Sequence, residues 1–248
     1  MLPTSNFTMR SIIRILLLIH VSIFSWAQKA REVTCKPGQD FAKAFSTIEK
    51  YKYPEFQDGY VVTPQGKRSQ RLKLNFNEFS ALPQFVNEKG DTLFLDKGLA
   101  EYVQIKETTY YHPSSNDYYE IIKTSPMVKL AIVREWRITR VETLVEHPKS
   151  GKLTKSMSRD KGNLVYSKEY GRYVRNEHVI FARESVYYFI DAIGKVQKAN
   201  KNGIAKLLSQ HEAAIDKYVE MERIDFKKEE DLTKLFEFCK QVQNPLKN

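Results

Sequence analysis

The chain has 248 residues, enough for one large domain or two small ones. Lysine and arginine number 40 against 30 aspartate and glutamate residues, and this net charge of +10 favours contact with anionic polymers. Beyond the N-terminal region no apolar run is long enough to cross a bilayer, which excludes a later membrane-spanning helix.

The N-terminal region has the pattern of a secretory signal peptide. Arg14 precedes an apolar run over residues 15–26, and Ser25 and Ala27 are small residues at the two positions that signal cleavage requires. The alternative, a transmembrane anchor, needs about 20 apolar residues, more than this run contains. We therefore predict that residues 1–27 are a signal peptide, and that the mature protein is in the periplasm or on the cell surface.

The predicted mature chain begins with a lead-in segment, residues 28–58. Its first part, residues 28–40, is polar and contains a Lys-Pro-Gly sequence, typical of a flexible segment or of one that follows a sheet edge. Phe41, Phe45 and Ile48 then recur at helical spacing, which predicts one short helix.

Residues 59–198 have the pattern of an antiparallel β domain. Two alternating segments flank Pro64-Gln65-Gly66, where proline fixes φ and glycine can adopt the positive φ of a turn. A second hairpin is predicted at Glu88-Lys89-Gly90. Further strand-like segments follow as far as residue 141 and resume at residue 178. We expect roughly nine to ten strands in a meander.

Between these strands, residues 147–176 lack a sustained apolar period and predict a long basic loop. Its tyrosines, Tyr166, Tyr170 and Tyr173, are interleaved with cations, a pattern of grooves that bind nucleic acids or acidic glycans. A solvated loop without a ligand is the alternative. The candidate anion-binding residues are Lys149, Lys152, Lys155, Arg159, Lys161, Arg172 and Arg175.

Residues 199–242 have helical patterns. Asn202 is a candidate N-cap for a first helix, whose apolar stripe includes Ile204 and Leu208. A second helix begins near Lys228, with acidic residues in its first turn, where they interact favourably with the helix dipole. The chain is therefore predicted to be an α+β protein, mainly β, with a short N-terminal helix and a C-terminal helical hairpin packed on the sheet.

Turn and strand residues carry a resemblance that covers about residues 41–240. They are Gly59 to Val62 with Gly66, Leu74 to Asn77, Gln84 to Val86, Gly90 to Leu93, Tyr187 to Phe189, and the C-terminal helical pair. In these positions the chain resembles an uncharacterised family of exported Bacteroidota envelope proteins of unknown function. The resemblance implies an envelope location and a single-unit architecture, and it transfers no catalytic residue.

The sequence has none of the spacings that usually mark an active site. The histidines beyond the signal, His112, His147, His178 and His211, are far from one another and from the cysteines, so zinc-site spacing is absent. Nucleophile elbows, phosphate-binding loops and dinucleotide-binding glycine motifs are also absent. We assign no catalytic residue and predict no metal and no cofactor. A dispersed triad stays open, because its partners meet only in the folded protein.

The two cysteines, Cys35 and Cys239, lie near opposite ends of the chain. In an oxidising compartment they can form one disulfide. The alternative is that Cys239 packs as a small apolar residue beside Leu235 and Phe236.

Two tyrosine pairs flank the turn at Pro113 and are candidates for an aromatic platform that binds sugars. They are Tyr110-Tyr111 and Tyr118-Tyr119. Because adjacent strand residues point to opposite faces, only one tyrosine of each pair can serve a given surface.

We interpret the chain as an exported, non-catalytic binding protein of the bacterial cell envelope. Its partner would be a protein or an anionic polymer, with no specific nucleic acid involved. The alternative is an envelope hydrolase whose active site is assembled only by folding. A deep pocket that holds several acids or histidines with perturbed pKa would favour the hydrolase, and a basic groove would favour the binding protein.

Overall fold

The computed structural model describes residues 32–96, 98–113, 117–146, 153–158 and 177–243. The strands in these ranges are β1 Glu32–Cys35, β2 Gln57–Val62, β3 Leu72–Asn77, β4 Leu82–Val86, β5 Thr92–Phe94, β6 Tyr102–Ile105, β7 Thr108–Tyr111, β8 Tyr119–Thr124, β9 Val128–Glu146, β10 Leu153–Ser158, β11 Glu177–Asp191 and β12 Val196–Lys198. The helices are α1 Phe41–Ala44, α2 Thr47–Lys50, α3 Lys201–Leu207, α4 Glu212–Met221 and α5 Glu229–Gln243, with a 3-10 turn at Ser209–His211.

The strands of the described residues form one antiparallel sheet, which confirms the mainly-β prediction. Strands β2 to β5 pair in chain order, and so do β6 to β9. Pairing of β2 with β6 joins these two meanders, and β11 and then β1 continue the sheet beyond β9. Strand β10 also pairs with β9, and β12 with β11. The sheet is therefore two joined meanders with long-range additions, and the predicted single meander is too simple.

Both predicted hairpins are present, because each depends on local turn chemistry. Gly66 adopts a φ of 77° and donates its N–H to the carbonyl of Thr63 at 2.8 Å. Gly90 adopts a φ of 87°, and the side chain of Asn87 accepts from the N–H of Asp91 at 2.8 Å. Only glycine reaches these φ values without strain.

The predicted lead-in and basic loop each contain a strand, which corrects both predictions. Strand β1 pairs with β11, with Thr34 opposite Ile180. Strand β10 pairs with β9, with Leu153 opposite Glu146. Both strands are short, so their alternation gives little local signal, and each is held by the backbone of a strand that is much longer than itself.

The predicted N-terminal helix is two separate one-turn helices. Ser46 ends the first and caps the second, since its hydroxyl accepts from the N–H of Glu49 at 3.3 Å. The Glu49 carboxylate accepts in return from the N–H of Ser46 at 2.8 Å. This reciprocal capping box requires extended backbone at Ser46, which interrupts the helical spacing.

The C-terminal region also differs from a simple helical hairpin. The N-cap of α3 is Asn200, which accepts from the N–H of Gly203 at 2.8 Å, so Asn202 lies inside the helix. Leu208 leaves helical geometry, with φ −126° and ψ 44°, and divides the predicted first helix into α3 and α4. No helix in the described ranges is long and apolar enough to cross a membrane.

Helices α3, α4 and α5 cover one side of the sheet, which we call the helix face. Leu130 and Phe189 on this face are completely buried against Ile204, Leu232 and Phe236. A second core continues along the same face to β3 and β6, with Leu74, Phe76, Val103, Ile105 and Tyr110. Burial of the side chains in the first of these cores contributes about 1.5–3 kcal/mol per residue and holds the helices on the sheet.

A charge network crosses the helix face between these cores. The Nζ of Lys52, which follows α2, lies 3.0 Å from each carboxylate oxygen of Glu120 on β8. Arg134 on β9 also pairs with Glu120, and its guanidinium lies 3.7 Å from Glu229 at the start of α5. The network therefore joins the N-terminal segment, the sheet and the last helix through ion pairs, and we interpret it as structural.

Candidate functional site: a cationic groove beside a row of tyrosines

The two tyrosine pairs are divided between the faces of the sheet. Tyr110 stacks on Phe76 with ring centroids 4.3 Å apart, inside the helix-face core. Tyr111 points to the opposite side, which we call the tyrosine face, and stacks on Tyr102 at 4.8 Å. Tyr119 lies on the same face and contacts Tyr188 at 5.1 Å. One member of each pair therefore serves each surface, as the alternation of strand side chains requires.

Burial limits which of these rings can touch a ligand. Tyr111 and Tyr119 are buried, with 8% and 5% of their surface exposed. Tyr102 and Tyr188 are half-buried and keep part of each ring accessible. On this face, the predicted aromatic platform is therefore limited to the partly accessible rings of Tyr102 and Tyr188. Tyr60 lies on β2, which pairs with the strand that carries Tyr102.

The tyrosine face ends in a groove of about 430 Å³ between β2, β6 and the segment that precedes β3. It is lined by Gln57, Asp58, Gly59, Tyr60, Arg68, Ser69, Arg71, Gln104, Lys106 and Glu107. Most of these residues are polar or charged, so the groove suits a hydrophilic ligand.

Backbone contacts fix the walls of the groove. A Cβ atom at Gly59 would lie 2.1 Å from the carbonyl oxygen of Gln104, so only glycine allows β2 and β6 to approach this closely. On the other wall, the hydroxyl of Ser69 accepts from the N–H of Val61 at 3.0 Å, and the N–H of Ser69 donates to the carbonyl of Val61 at 2.8 Å. The groove is therefore shaped by main chain, before any ligand arrives.

The charges of the groove are unevenly paired. Asp58 is engaged by Lys73 at 2.9 Å and more distantly by Arg71 at 4.0 Å, and the hydrogen bond from Lys73 lowers the pKa of Asp58. The guanidinium of Arg68 instead lies over the ring of Tyr60, with its Cζ 3.4 Å from the ring centroid. Among the described residues, neither Arg68 nor Lys106 forms an ion pair. These two cations remain available to an anion.

Of the residues predicted from the sequence to bind anions, only Lys155 lies within the described ranges, and it does not line the groove. Lys149, Lys152, Arg159, Lys161, Arg172 and Arg175 lie outside the described residues. Lys155 lies in β10, opposite Leu144 on β9. A local signal for the groove was present in the sequence, because the basic run from Lys67 to Arg71 follows a predicted hairpin turn and faces Tyr60 across it.

The cysteines are free in the structure, where the possible disulfide between them is not formed. Cys35 lies on β1 at the sheet edge, with its Sγ 3.3 Å from the carbonyl oxygen of Gln39. Cys239 packs in the helix core with Leu235 and Phe236, as the alternative interpretation expected.

We expect both thiols to be unreactive in the folded protein and reactive after unfolding. Burial raises the pKa of Cys35 to about 11 and that of Cys239 to about 12, so neither forms a thiolate at neutral pH. Labelling with a thiol reagent, without reductant, should give no adduct in buffer and two adducts in guanidinium chloride. A failure to label in guanidinium chloride would show that a disulfide exists.

Glu107 is the second acid that lines the groove, and the described histidines lie elsewhere. His112 stacks on Tyr118, His178 lies in β11, and His211 belongs to the 3-10 turn. In the described ranges no group of three histidine, cysteine, aspartate or glutamate residues could hold a metal ion. Among the residues that line the groove, Ser69 donates its hydroxyl to the carbonyl of Gln70 at 2.7 Å. The groove is thus suited to binding charged groups.

Comparison with known proteins returned no matching family model, no matching curated protein and no matching solved structure.

Proposed function

We propose that the protein is an exported, non-catalytic binding protein of the bacterial cell envelope, and that its groove holds acidic groups of a polymer. The observation that carries this proposal is the placement of Arg68. Its guanidinium is held on the ring of Tyr60 and has no carboxylate partner among the described residues. Stacking leaves the N–H groups at the edge of the guanidinium plane free to bind a carboxylate or phosphate.

The surroundings of Arg68 support an anionic ligand. Lys106 adds a second cation without an ion-pair partner in the described chain, and Arg71 is only loosely engaged by Asp58 at 4.0 Å. The amide of Gln104 and the partly accessible ring of Tyr102 lie beside them on the tyrosine face. Acidic polysaccharide matches this combination, because its carboxylates suit the cations and its sugar rings suit the tyrosine margin.

The experiment compares binding to polygalacturonate and to lipopolysaccharide across a salt series. In the groove variant, Arg68, Arg71 and Lys106 are changed to Ser. We expect its affinity to fall about tenfold or more, because charge-assisted hydrogen bonds are lost. The slope of log affinity against log salt concentration should also become shallower by about one unit for each cation removed.

Two controls separate this site from general charge. Changing Lys89, Lys217 and Lys227 to Ser removes the same charge from exposed positions away from the groove and should have little effect. Changing Tyr60 to Leu keeps all cations but removes the stacking surface, so affinity should fall while the salt dependence stays the same. Equal binding by the wild type and the groove variant at every salt concentration would disprove the proposal.

The predicted basic segment provides an independent arm of the same experiment. Changing Lys152, Lys155, Arg159 and Lys161 to Ser tests whether that segment contributes to the same ligand. If only this variant loses affinity, the polymer binds the segment and the groove has another role. If only the groove variant loses affinity, the segment is solvated and without a ligand.

A further inference from the structure

We propose that a pair of adjacent turns, which we call the tip, docks the protein on an anionic lipid membrane surface. The first turn, residues 125–127, joins β8 to β9, and the second, residues 192–195, joins β11 to β12. Val128 at the start of β9 lies opposite Asp191 at the end of β11. The two turns therefore project side by side from the same end of the sheet.

The tip exposes large apolar side chains. Ile193 has 89% of its surface exposed and Met127 has 50%. Turn positions favour glycine, asparagine, aspartate and serine, so an apolar residue at the outermost position of each of two neighbouring turns is unusual. A cluster of exposed apolar residues marks a contact surface more often than single scattered ones do.

Neither apolar side chain is needed to form its turn. The carboxylate of Asp191 accepts from the N–H groups of Ile193 and Lys195 at 3.0 Å and 2.8 Å, and Gly194 supplies a φ of 84°. In the other turn, the hydroxyl of Ser125 accepts from the N–H of Val128 at 3.1 Å. The backbone is therefore held by other residues, and the fold does not account for the side chains of Ile193 and Met127.

Three cations flank the apolar residues in the chain. Lys123 and Lys129 lie in the strands on either side of the first turn, and Lys195 is the last residue of the second turn. Lys123 and Lys195 are exposed. Among the described residues none of the three forms an ion pair, and Lys129 lies 5.1 Å from the ring of Tyr111. The nearby acid Asp191 is occupied within its own turn.

This combination of exposed apolar and basic side chains suits the interface of an anionic bilayer. In this arrangement, the exposed apolar side chains of the tip enter the boundary between headgroups and acyl chains, and the neighbouring lysines reach the phosphates of anionic lipids. A protein partner is less well matched, because two narrow turns offer little of the flat area that a stable protein interface buries. The occupant we propose is therefore an anionic lipid surface, which is independent of the polymer in the groove.

The experiment measures cosedimentation of the purified protein with vesicles. One set contains phosphatidylcholine alone, and the other contains equal parts of phosphatidylcholine and phosphatidylglycerol. We expect the wild type to prefer the anionic vesicles. Changing Ile193 and Met127 to Ser should weaken that binding about tenfold or more. Changing Lys123 and Lys195 to Ser should weaken it about fivefold per lysine and reduce the preference for anionic lipid.

Control variants and two further measurements test whether a loss of vesicle binding is specific to the tip. Changing Leu99 and Met221 to Ser removes two apolar residues elsewhere that are more than half exposed, and should leave vesicle binding unchanged. Melting temperatures of all variants should match the wild type, since the altered side chains are exposed. In the Ile193→Trp variant the emission of the new indole should shift to shorter wavelength when anionic vesicles are added.

Three results would overturn the proposal. The first is that the wild type does not sediment with anionic vesicles. The second is that the Ile193 and Met127 variant binds as well as the wild type, which would mean adsorption by charge alone. The third is that the groove variant, with Arg68, Arg71 and Lys106 changed, loses vesicle binding while the tip variant keeps it, which would place lipid contact at the groove.

Discussion

Replacing Glu120 by Gln is expected to lower the free energy of unfolding by about 3 kcal/mol. Glu120 neutralises both Lys52 and Arg134, and the side chains of all three are at least 79% covered, with exposures of 16% for Glu120 and 21% for each cation. The amide of glutamine keeps the shape but removes the charge, so two cations remain in a poorly solvated position. Urea denaturation of the wild type and the variant measures the difference.

Asp58 provides a matched control for this prediction. Like Glu120 it contacts two cations, Lys73 and Arg71, but its side chain is 46% exposed. Water screens such a pair, so the Asp58→Asn variant should lose much less stability than the Glu120→Gln variant. Equal losses in the two variants would show that burial does not set the strength of the Glu120 network.

The contribution of Glu120 should also depend on pH. Burial raises the pKa of Glu120, but Arg134 and Lys52 together outweigh burial and leave the pKa below its usual value. A carboxylate with a lowered pKa stabilises the folded state above the pKa of the unfolded chain, and this contribution is lost as the pH falls through the folded value. The stability difference between wild type and the Glu120→Gln variant should therefore be constant near neutrality and shrink below about pH 4.3.

The Gly59→Ala variant is expected to lose about 3 kcal/mol of stability and to bind the groove ligand poorly. The added Cβ would lie 2.1 Å from the carbonyl oxygen of Gln104 and 2.9 Å from Cδ1 of Leu74. Because the nearest atom belongs to the backbone, β2 and β6 must move apart to accommodate it. Thermal unfolding and ligand binding by the variant measure the two consequences.

Gly98→Ala is the control for the added methyl group. Its Cβ would meet only the carboxylate of Asp96 at 3.7 Å, an ordinary contact, and the glycine has no positive φ. This variant should be nearly as stable as the wild type. If Gly59→Ala is equally well tolerated, β2 and β6 are not as close as the structure places them.

Features that depend on neighbouring residues could be predicted from the sequence. The hairpins at Gly66 and Gly90 need only a residue that tolerates positive φ and a short polar turn. The division of tyrosines between the faces follows from strand alternation alone. The capping-box spacing of Ser46 and Glu49 also indicates a helix start at Ser46, whereas the apolar spacing of Phe41, Phe45 and Ile48 predicts one continuous helix.

Features assembled from distant segments could not be predicted in this way. Glu120 and Arg134 lie on the two strands of one hairpin, but Lys52 and Glu229 come from distant parts of the chain and no spacing relates them to it. The groove has an intermediate character. Tyr60 and Arg68 lie across one hairpin and could be related, whereas Lys106 is brought to them by the pairing of β2 with β6. Contacts that depend on nonlocal strand pairing therefore could not be predicted from the sequence.

The pairing of β1 with β11 has a consequence for the order of events during folding. The meander strands pair with neighbours that are close in the chain, whereas β1 must wait for β11, which is synthesised long after it. Closing so large a loop is entropically costly, and such late contacts fold slowly. The thiol of Cys35 becomes buried only when β1 joins the sheet. Loss of Cys35 reactivity during refolding should therefore act as a clock for the last step of sheet assembly.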